Sequence, residues 1–387
     1  MAHIRCTTKL EINGSKLDKF PLIITNNLKV HILSLEFFLH KRTSVQATTL
    51  FTYAQHIADF LSQLEVENDG LTCEDPEYRE WDEIDDNWIE AYSAELISRY
   101  ESESDNKKNY VGSLLSTVVG YLKWTQTSGY TINLIGIGED NRIKLNTSSS
   151  KKGDQTILPL AKKLSKEKSP RRTAPRMDWI DAVKANLQVK SGELCVRDEL
   201  MIDWCVGIGL RAHEVCSLTI SQLPSKKSAE DAYINEQNVF INIVISKGSK
   251  PKRVPVSALL IKKTWDFVEI DRERVLSQVK SKAKEQRIPF VDSGILFPSQ
   301  TTGIKIHSRT FSNKIRKAFL KAVEVGELAE DQVVWTHGLR HRHATDVLQG
   351  LDNKGVKNPE RIAKQSTRHQ HEDMLETYTV SRFHEDI

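Results

Sequence analysis

Apolar positions recur at three- and four-residue intervals in two stretches of the first third of the chain. The first is Leu50, Ala54, Ile57, Leu61 and Leu64; the second is Val111, Leu114, Leu115, Val118 and Leu122. That period predicts two amphipathic helices and a small helical domain over about residues 45 to 135. Between them, from Glu65 to Asp105, the chain is strongly acidic and reads as a solvated face. Further on, helix-like spacing returns at Trp179 to Leu187 and Asp198 to Leu210. The β-branched run from Val239 to Ile245 predicts a buried strand, with Val254, Pro255 and Val256 as its partner. Lys247-Gly248-Ser249-Lys250 supplies turn chemistry between them. Helical patterns resume from Ser308 to Val325 and again from His337. Asn13-Gly14, between Thr7–Ile12 and Leu17–Phe20, predicts a hairpin in an N-terminal segment, residues 1–44, whose role the pattern does not reveal. There is no internal repeat.

Composition refines this picture. The 387 residues, 39% hydrophobic and 28% charged, suffice for two domains with proper cores. No run of eighteen apolar residues occurs and the N-terminus lacks a secretory pattern, so a cytoplasmic protein is expected, nucleoid-associated if bacterial. Five scattered cysteines without a C-x-x-C pair argue against a disulfide framework or a zinc ribbon. A net charge of +3 says little, but its distribution is uneven. Residues 148–176 gather nine Lys and Arg with Pro159, Pro170 and Pro175, against only Asp154 and Glu167. This predicts a basic interdomain linker, Arg171 and Arg172 included, that tracks a phosphate backbone by releasing its counterions. A solvated basic hinge or a localisation signal would share the composition.

The candidate chemistry lies in the C-terminal third: His337, Arg340 and His341 in T-H-G-L-R-H, His369 in T-R-H, and Tyr378 in E-T-Y-T. On a helix the first three share one face. An arginine fork matches phosphate oxygens, and a histidine moves a proton near neutral pH, which suits a phosphoryl-transfer centre.

From about Asp178 to Arg382 the sequence resembles the catalytic domain of the tyrosine recombinase (phage integrase) family. Gly209-Leu210-Arg211-Ala212-His213-Glu214 is similar to that family's G-L-R-x-x-E box, and Ser246 to Val256 to its K-G-x-K-x-R-x-V-P-L hairpin. His337-Gly338-Leu339-Arg340-His341 matches H-x-L-R-H, and Tyr378 follows His369 at the family's spacing. The resemblance implies six catalytic residues: Arg211, Lys247, His337, Arg340, His369 and Tyr378. Departures are Arg368 before the third-box histidine where glycine is usual, Arg342-His343 in place of a small hydroxyl and an aromatic residue, and a long connection from Ser225 to Glu236.

The implied fold is mainly α with a small β-sheet: a helical core-binding domain at 45–147, the linker at 148–176, and a mixed α/β catalytic domain at 177–387. The implied function is site-specific recombination through a 3′-phosphotyrosyl intermediate and a Holliday junction, by a homo-tetramer on two sites in double-stranded DNA. No metal, ATP or other cofactor enters this scheme, and accessory DNA-bending or directionality proteins are its expected partners. In it Tyr378 attacks phosphorus, Arg211, Arg340 and His369 stabilise the transition state, Lys247 protonates the leaving 5′-oxygen and His337 receives the tyrosine proton. Lys250, Lys252 and Arg253 are expected to touch phosphates, and His341, His343 and His371 to be structural or DNA-proximal. Plainer readings stand beside these. Arg211 and Glu214 would pair along a helix without any catalytic role, and Lys247 would be an ordinary turn lysine. A type IB topoisomerase shares the phosphotyrosine chemistry. A metal nuclease would use His337, His341, His369 and His371 as ligands, and a DNA-binding module would have lost catalysis.

Overall fold

The computed structural model describes residues 1–7, 10–12, 14–17, 19–101, 107–150, 153–159, 173–189, 191–244 and 251–367. It divides into two units, Met1–Pro170 and Arg171–Ile387. The described chain is mainly helical, with small two-stranded sheets. No helix among the described residues is long and apolar enough to cross a membrane.

The first unit begins with strands β1 (His3–Cys6), β2 (Leu10–Ile12), β3 (Ser15–Leu17) and β4 (Pro21–Ile24). β2 and β3 form the hairpin expected at Asn13-Gly14, pairing Leu10 with Leu17 and Ile12 with Ser15, and β1 pairs antiparallel with β4. Helices α1 (Ile32–Lys41), α2 (Ala47–Glu67), α3 (Asp86–Glu101) and α4 (Lys107–Thr127) follow, then the two-residue strands β5 (Ile135–Gly136) and β6 (Ile143–Lys144). All ten residues of the two apolar stripes are buried, on α2 and α4. Residues 1–44 are part of the same core: Phe20, Ile23, Phe37 and Phe38 pack into it.

The acidic run is not simply a solvated face. It contains α3, whose Trp88, Ile89, Tyr92 and Leu96 are buried. These four lie at helical spacing and were masked by the carboxylates around them. Two carboxylates serve the core as acceptors. Trp88 Nε1 donates to Glu67 Oε2 at 2.6 Å, and the Tyr92 hydroxyl donates to Asp59 Oδ1 at 2.8 Å. The first part of the segment read as linker carries strands. β7 (Asn146–Ser150) and β8 (Gly153–Ile157) pair antiparallel across residues 148–157. Strands this rich in serine and other polar residues carry no alternating apolar signal, so they resemble a linker in composition. Arg171 and Arg172 lie outside the described residues.

The second unit contains α5 (Met177–Ala185), α6 (Gly192–Ile208), α7 (Ala212–Val215), α8 (Lys226–Ile234), β9 (Asn238–Ile243), β10 (Lys252–Ser257), α9 (Ala258–Phe267), α10 (Glu273–Glu285), α11 (Ser308–Glu324), α12 (Thr336–Asn353) and α13 (Pro359–Thr367). α6 is the central helix. It buries Leu200, Met201, Ile202, Trp204, Cys205 and Ile208, which point around most of its circumference, and packs against α9, β10 and α12. A helix apolar on nearly all sides belongs inside a core. Its one buried ionic group is satisfied: Asp198 accepts from Arg197 Nε at 2.9 Å and from Lys314 of α11, while Arg197 Nη1 donates to the Pro298 carbonyl at 2.8 Å. β9 and β10 pair in the expected hairpin, with Ile241, Ile243, Val254 and Val256 facing the core. The long connection from Ser225 to Glu236 is occupied by α8. All five cysteines are free.

Trp88→Ala removes the aromatic centre of α3 and strands the Glu67 acceptor. Urea unfolding should show the first unit destabilised by roughly 3–5 kcal/mol, whereas Glu74→Ala in the same acidic run should stay within about 0.5 kcal/mol of the parent.

Candidate active site

The site begins where α6 ends. Gly209 caps that helix in the left-handed region, at φ 65° and ψ 37°. A Cβ there would stand 2.6 Å from Cδ2 of His343, so both conformation and space require glycine. The turn reverses the chain and delivers Arg211 to the N-cap of the short α7. Glu214 then anchors the arginine twice: its Oε2 accepts from the Arg211 backbone N–H at 2.8 Å, and its Oε1 accepts from Nη1 at 3.2 Å. The Glu214 side chain is fully buried and that of Arg211 is 23% exposed. The pairing read from sequence as an alternative to a catalytic role is real, and it leaves the arginine partly open to solvent. A buried carboxylate that fixes an exposed guanidinium orients it without covering it.

The second element is the first half of α12. Trp335 precedes it in extended conformation, and its ring lies over Gly338, where a Cβ would come within 2.7 Å of the indole. His341 meets the Trp335 ring edge-on at 5.6 Å and the His337 ring at 4.9 Å. Arg340 is buried, 1% exposed, and its Nη1 donates to the Gly209 carbonyl. His343, one turn from Leu339, hydrogen-bonds through Nδ1 to the Val206 carbonyl at 3.0 Å. A carbonyl only accepts, so Nδ1 carries the proton. Thus α12 grips the last turn of α6 through two side chains. Thr336 ties α12 to α11 through Ser312 Oγ at 2.9 Å.

Arg211, His213, Asn313, Arg316, Trp335 and His337 are among the residues lining one cleft of about 720 Å³. Its electrostatics favour an anion. Burial first, then the charges of Arg340 and Arg211, hold His337 below its ordinary pKa. Burial, His337 and Arg340 push His341 down to about 4. Both rings are therefore neutral at physiological pH beside two permanent cations, and a neutral His337 is the form able to accept a proton.

Three of the six expected catalytic residues, Arg211, His337 and Arg340, are thus brought to one place. Lys247, His369 and Tyr378 lie outside the described residues, as do Lys250, His371 and Arg368. Lys252 is half-buried and Arg253 exposed, both on β10. His343 is a buried structural residue, one of the two roles expected for it. The sequence reading anticipated the Glu214 pairing but missed the parts played by Gly209 and Trp335. The glycine of the G-L-R box and the glutamate three residues after its arginine were the available signals. Among the described residues, no three His, Cys, Asp or Glu side chains converge as a metal-binding group.

These features gather two arginines and a neutral histidine at the junction of α6, α7 and α12. Residues 180–385, more than half of the chain, match the phage integrase family. The chain belongs to the phage integrase family, and so is a tyrosine recombinase, an enzyme that breaks and rejoins DNA strands. No curated protein sequence matches it. Several solved structures share its fold. The lambda integrase (75–356) dimer bound to a COC′ core site is 12% identical with a TM-score of 0.54, over 92% of this chain and 96% of that one. The XerH recombinase in its pre-cleavage complex with difH substrate is 16% identical with a TM-score of 0.51, over 88% and 79%. The Tn1549 transposon integrase (82–397) with circular intermediate DNA is 13% identical with a TM-score of 0.52, over 90% and 94%. The family match favours a recombinase over the topoisomerase and nuclease readings.

Gly209→Ala forces a Cβ into the His343 ring at positive φ. It should cost about 2–4 kcal/mol of stability in thermal or urea unfolding. A second expectation concerns pH. Unfolding restores the His341 pKa from about 4 to its ordinary 6.5, so the unfolded chain binds the extra proton as pH falls through that window. Stability is then lost on acidification, by on the order of 1–2 kcal/mol between pH 7 and 5 from this group. His341→Gln should reduce the difference between urea midpoints at those two pH values.

Proposed function

We propose that this enzyme performs site-specific recombination with Tyr378 as the nucleophile. The observation that carries the proposal is that Arg211 and a neutral His337 line one cleft, with the buried Arg340 guanidinium behind it bonded to the turn that presents Arg211. The phenolic oxygen of Tyr378 attacks the scissile phosphorus, the phosphodiester bond to the 5′-oxygen breaks, and a 3′-phosphotyrosyl link forms. His337 receives the phenolic proton and Lys247 protonates the departing 5′-oxygen. Arg211 and Arg340, with His369, stabilise the charge that builds on the non-bridging oxygens. The 5′-hydroxyl of a second DNA end then reverses the reaction and rejoins the strands. Because the bond energy stays in the protein–DNA link, rejoining requires no external energy source.

Around this centre, residues 45–147 serve as the core-binding domain, 148–176 as the linker and 177–387 as the catalytic domain. Together these clamp double-stranded DNA, and a homo-tetramer on two sites passes through a Holliday junction. Lys250, Lys252, Arg253, Arg171 and Arg172 contact phosphates. Accessory DNA-bending or directionality proteins set the outcome. The fold shared with recombinases solved on DNA, and the basic composition of residues 148–176, support these assignments.

The decisive experiment incubates the protein with nicked suicide duplexes cut from candidate element ends, followed by denaturing electrophoresis. The parent should form a covalent protein–DNA adduct and Tyr378→Phe none. Arg211→Ala and Arg340→Ala should slow adduct formation by about a hundredfold or more. An adduct that survives Tyr378→Phe refutes the assignment of the nucleophile. Activity that a chelator abolishes while Tyr378→Phe leaves it intact establishes the metal nuclease instead.

A further inference from the structure

The outer face of the β9–β10 hairpin has a feature that the cleavage chemistry does not use. Strand register places Phe240 opposite Pro255 and Asn242 opposite Arg253, so these four side chains share the face turned away from the core. Phe240 is a large aromatic left 52% exposed. The guanidinium carbon of Arg253 lies over its ring, 4.5 Å from the centroid. Among the described residues Arg253 forms no ion pair. The surrounding sequence offers no acidic partner either. Between Glu236 and Asp266 there is no Asp or Glu, while Lys247, Lys250, Lys252, Arg253, Lys262 and Lys263 are all cationic. In a chain with 52 acidic and 55 basic side chains, a stretch of that length without any acid is a surface for a polyanion.

We propose that Phe240 is a positioning residue: its ring holds the Arg253 guanidinium flat, with the edge N–H donors directed outward to a backbone phosphate of the DNA duplex. Stacking occupies the face of the guanidinium and leaves its in-plane donors available, an arrangement only a planar cation permits. It also limits the rotamers that a long side chain must surrender on binding. A two-stranded ribbon with its apolar face on the core and Arg253 on the opposite face can lie along a duplex without disturbing the core. The inference rests on the reading that this hairpin faces DNA, and it adds which side chain organises the contact.

The test is a salt titration of binding by the full chain to a labelled duplex of random sequence and to a candidate element end. Arg253→Ala should weaken both alike and reduce the slope of log K against log salt by about one, the signature of a lost phosphate contact. Phe240→Ala and Phe240→Leu should weaken binding by about two- to fivefold with the slope retained, and Phe240→Tyr should bind like the parent. In an Arg253→Ala background, Phe240→Ala should have no further effect. Circular dichroism checks that each exposed-face variant is folded. An unchanged slope in Arg253→Ala refutes the underlying reading that the hairpin faces DNA. A reduced slope combined with parental binding by Phe240→Leu, or with a further loss in the double variant, refutes the positioning role alone. A loss confined to one duplex sequence would put Arg253 on a base edge and overturn the phosphate assignment.

Discussion

The contact between the Arg340 guanidinium and the Gly209 carbonyl is the constraint on which the catalytic unit depends. Arg340 is charged at every accessible pH and almost wholly buried, and a buried charge without an acceptor costs far more than the bond itself returns. The end of α6 supplies that acceptor because Gly209 turns left-handed and leaves its carbonyl facing α12. His343 takes the Val206 carbonyl one turn earlier. Together the two side chains satisfy carbonyls that a helix terminus otherwise leaves to water. The same turn sends the chain to Arg211, so one arginine of the site sets the position of the other.

The charge distribution of this arrangement suits an anion. Two arginines stand beside two histidines whose burial keeps them neutral. The buried Glu214 is committed to Arg211. An anion at this site would therefore meet fixed donors and a neutral proton acceptor, with little reorganisation needed when charge develops. The buried Arg197–Asp198–Lys314 group secures α6 to α11, and Thr336 secures α11 to α12. The three helices that hold the site are thus joined by polar contacts as well as by the core. Sequence identities of 12–16% with recombinases of the same fold fit a design in which many apolar fillings serve one backbone.

Much of this protein was legible in its sequence because periodicity reports burial directly. The stripes of α2 and α4, the β9–β10 hairpin and the helices around Asp198, Ser308 and His337 all follow from the spacing of apolar side chains. The order of the G-L-R box, the basic hairpin, H-x-L-R-H and the terminal tyrosine identified the chemistry, since each is a local pattern of residue types. α3 was hidden because the acidic run that contains it holds far more carboxylates than the helix has buried apolar residues, and the strands β7 and β8 because their mostly polar residues carry no alternating apolar signal.

What the tertiary structure alone decided is the set of partnerships between residues distant in the chain. Nothing local to Arg340 shows that its acceptor is a carbonyl 131 positions away, nor that His343 seals the approach to Gly209. The sequence by itself determined the family of the protein and which positions of its regular helices are buried, because residue type and spacing are properties of the chain. The burial of Glu214 and the neutral state of His337 and His341 were decided by folding, because desolvation exists only once the helices have packed.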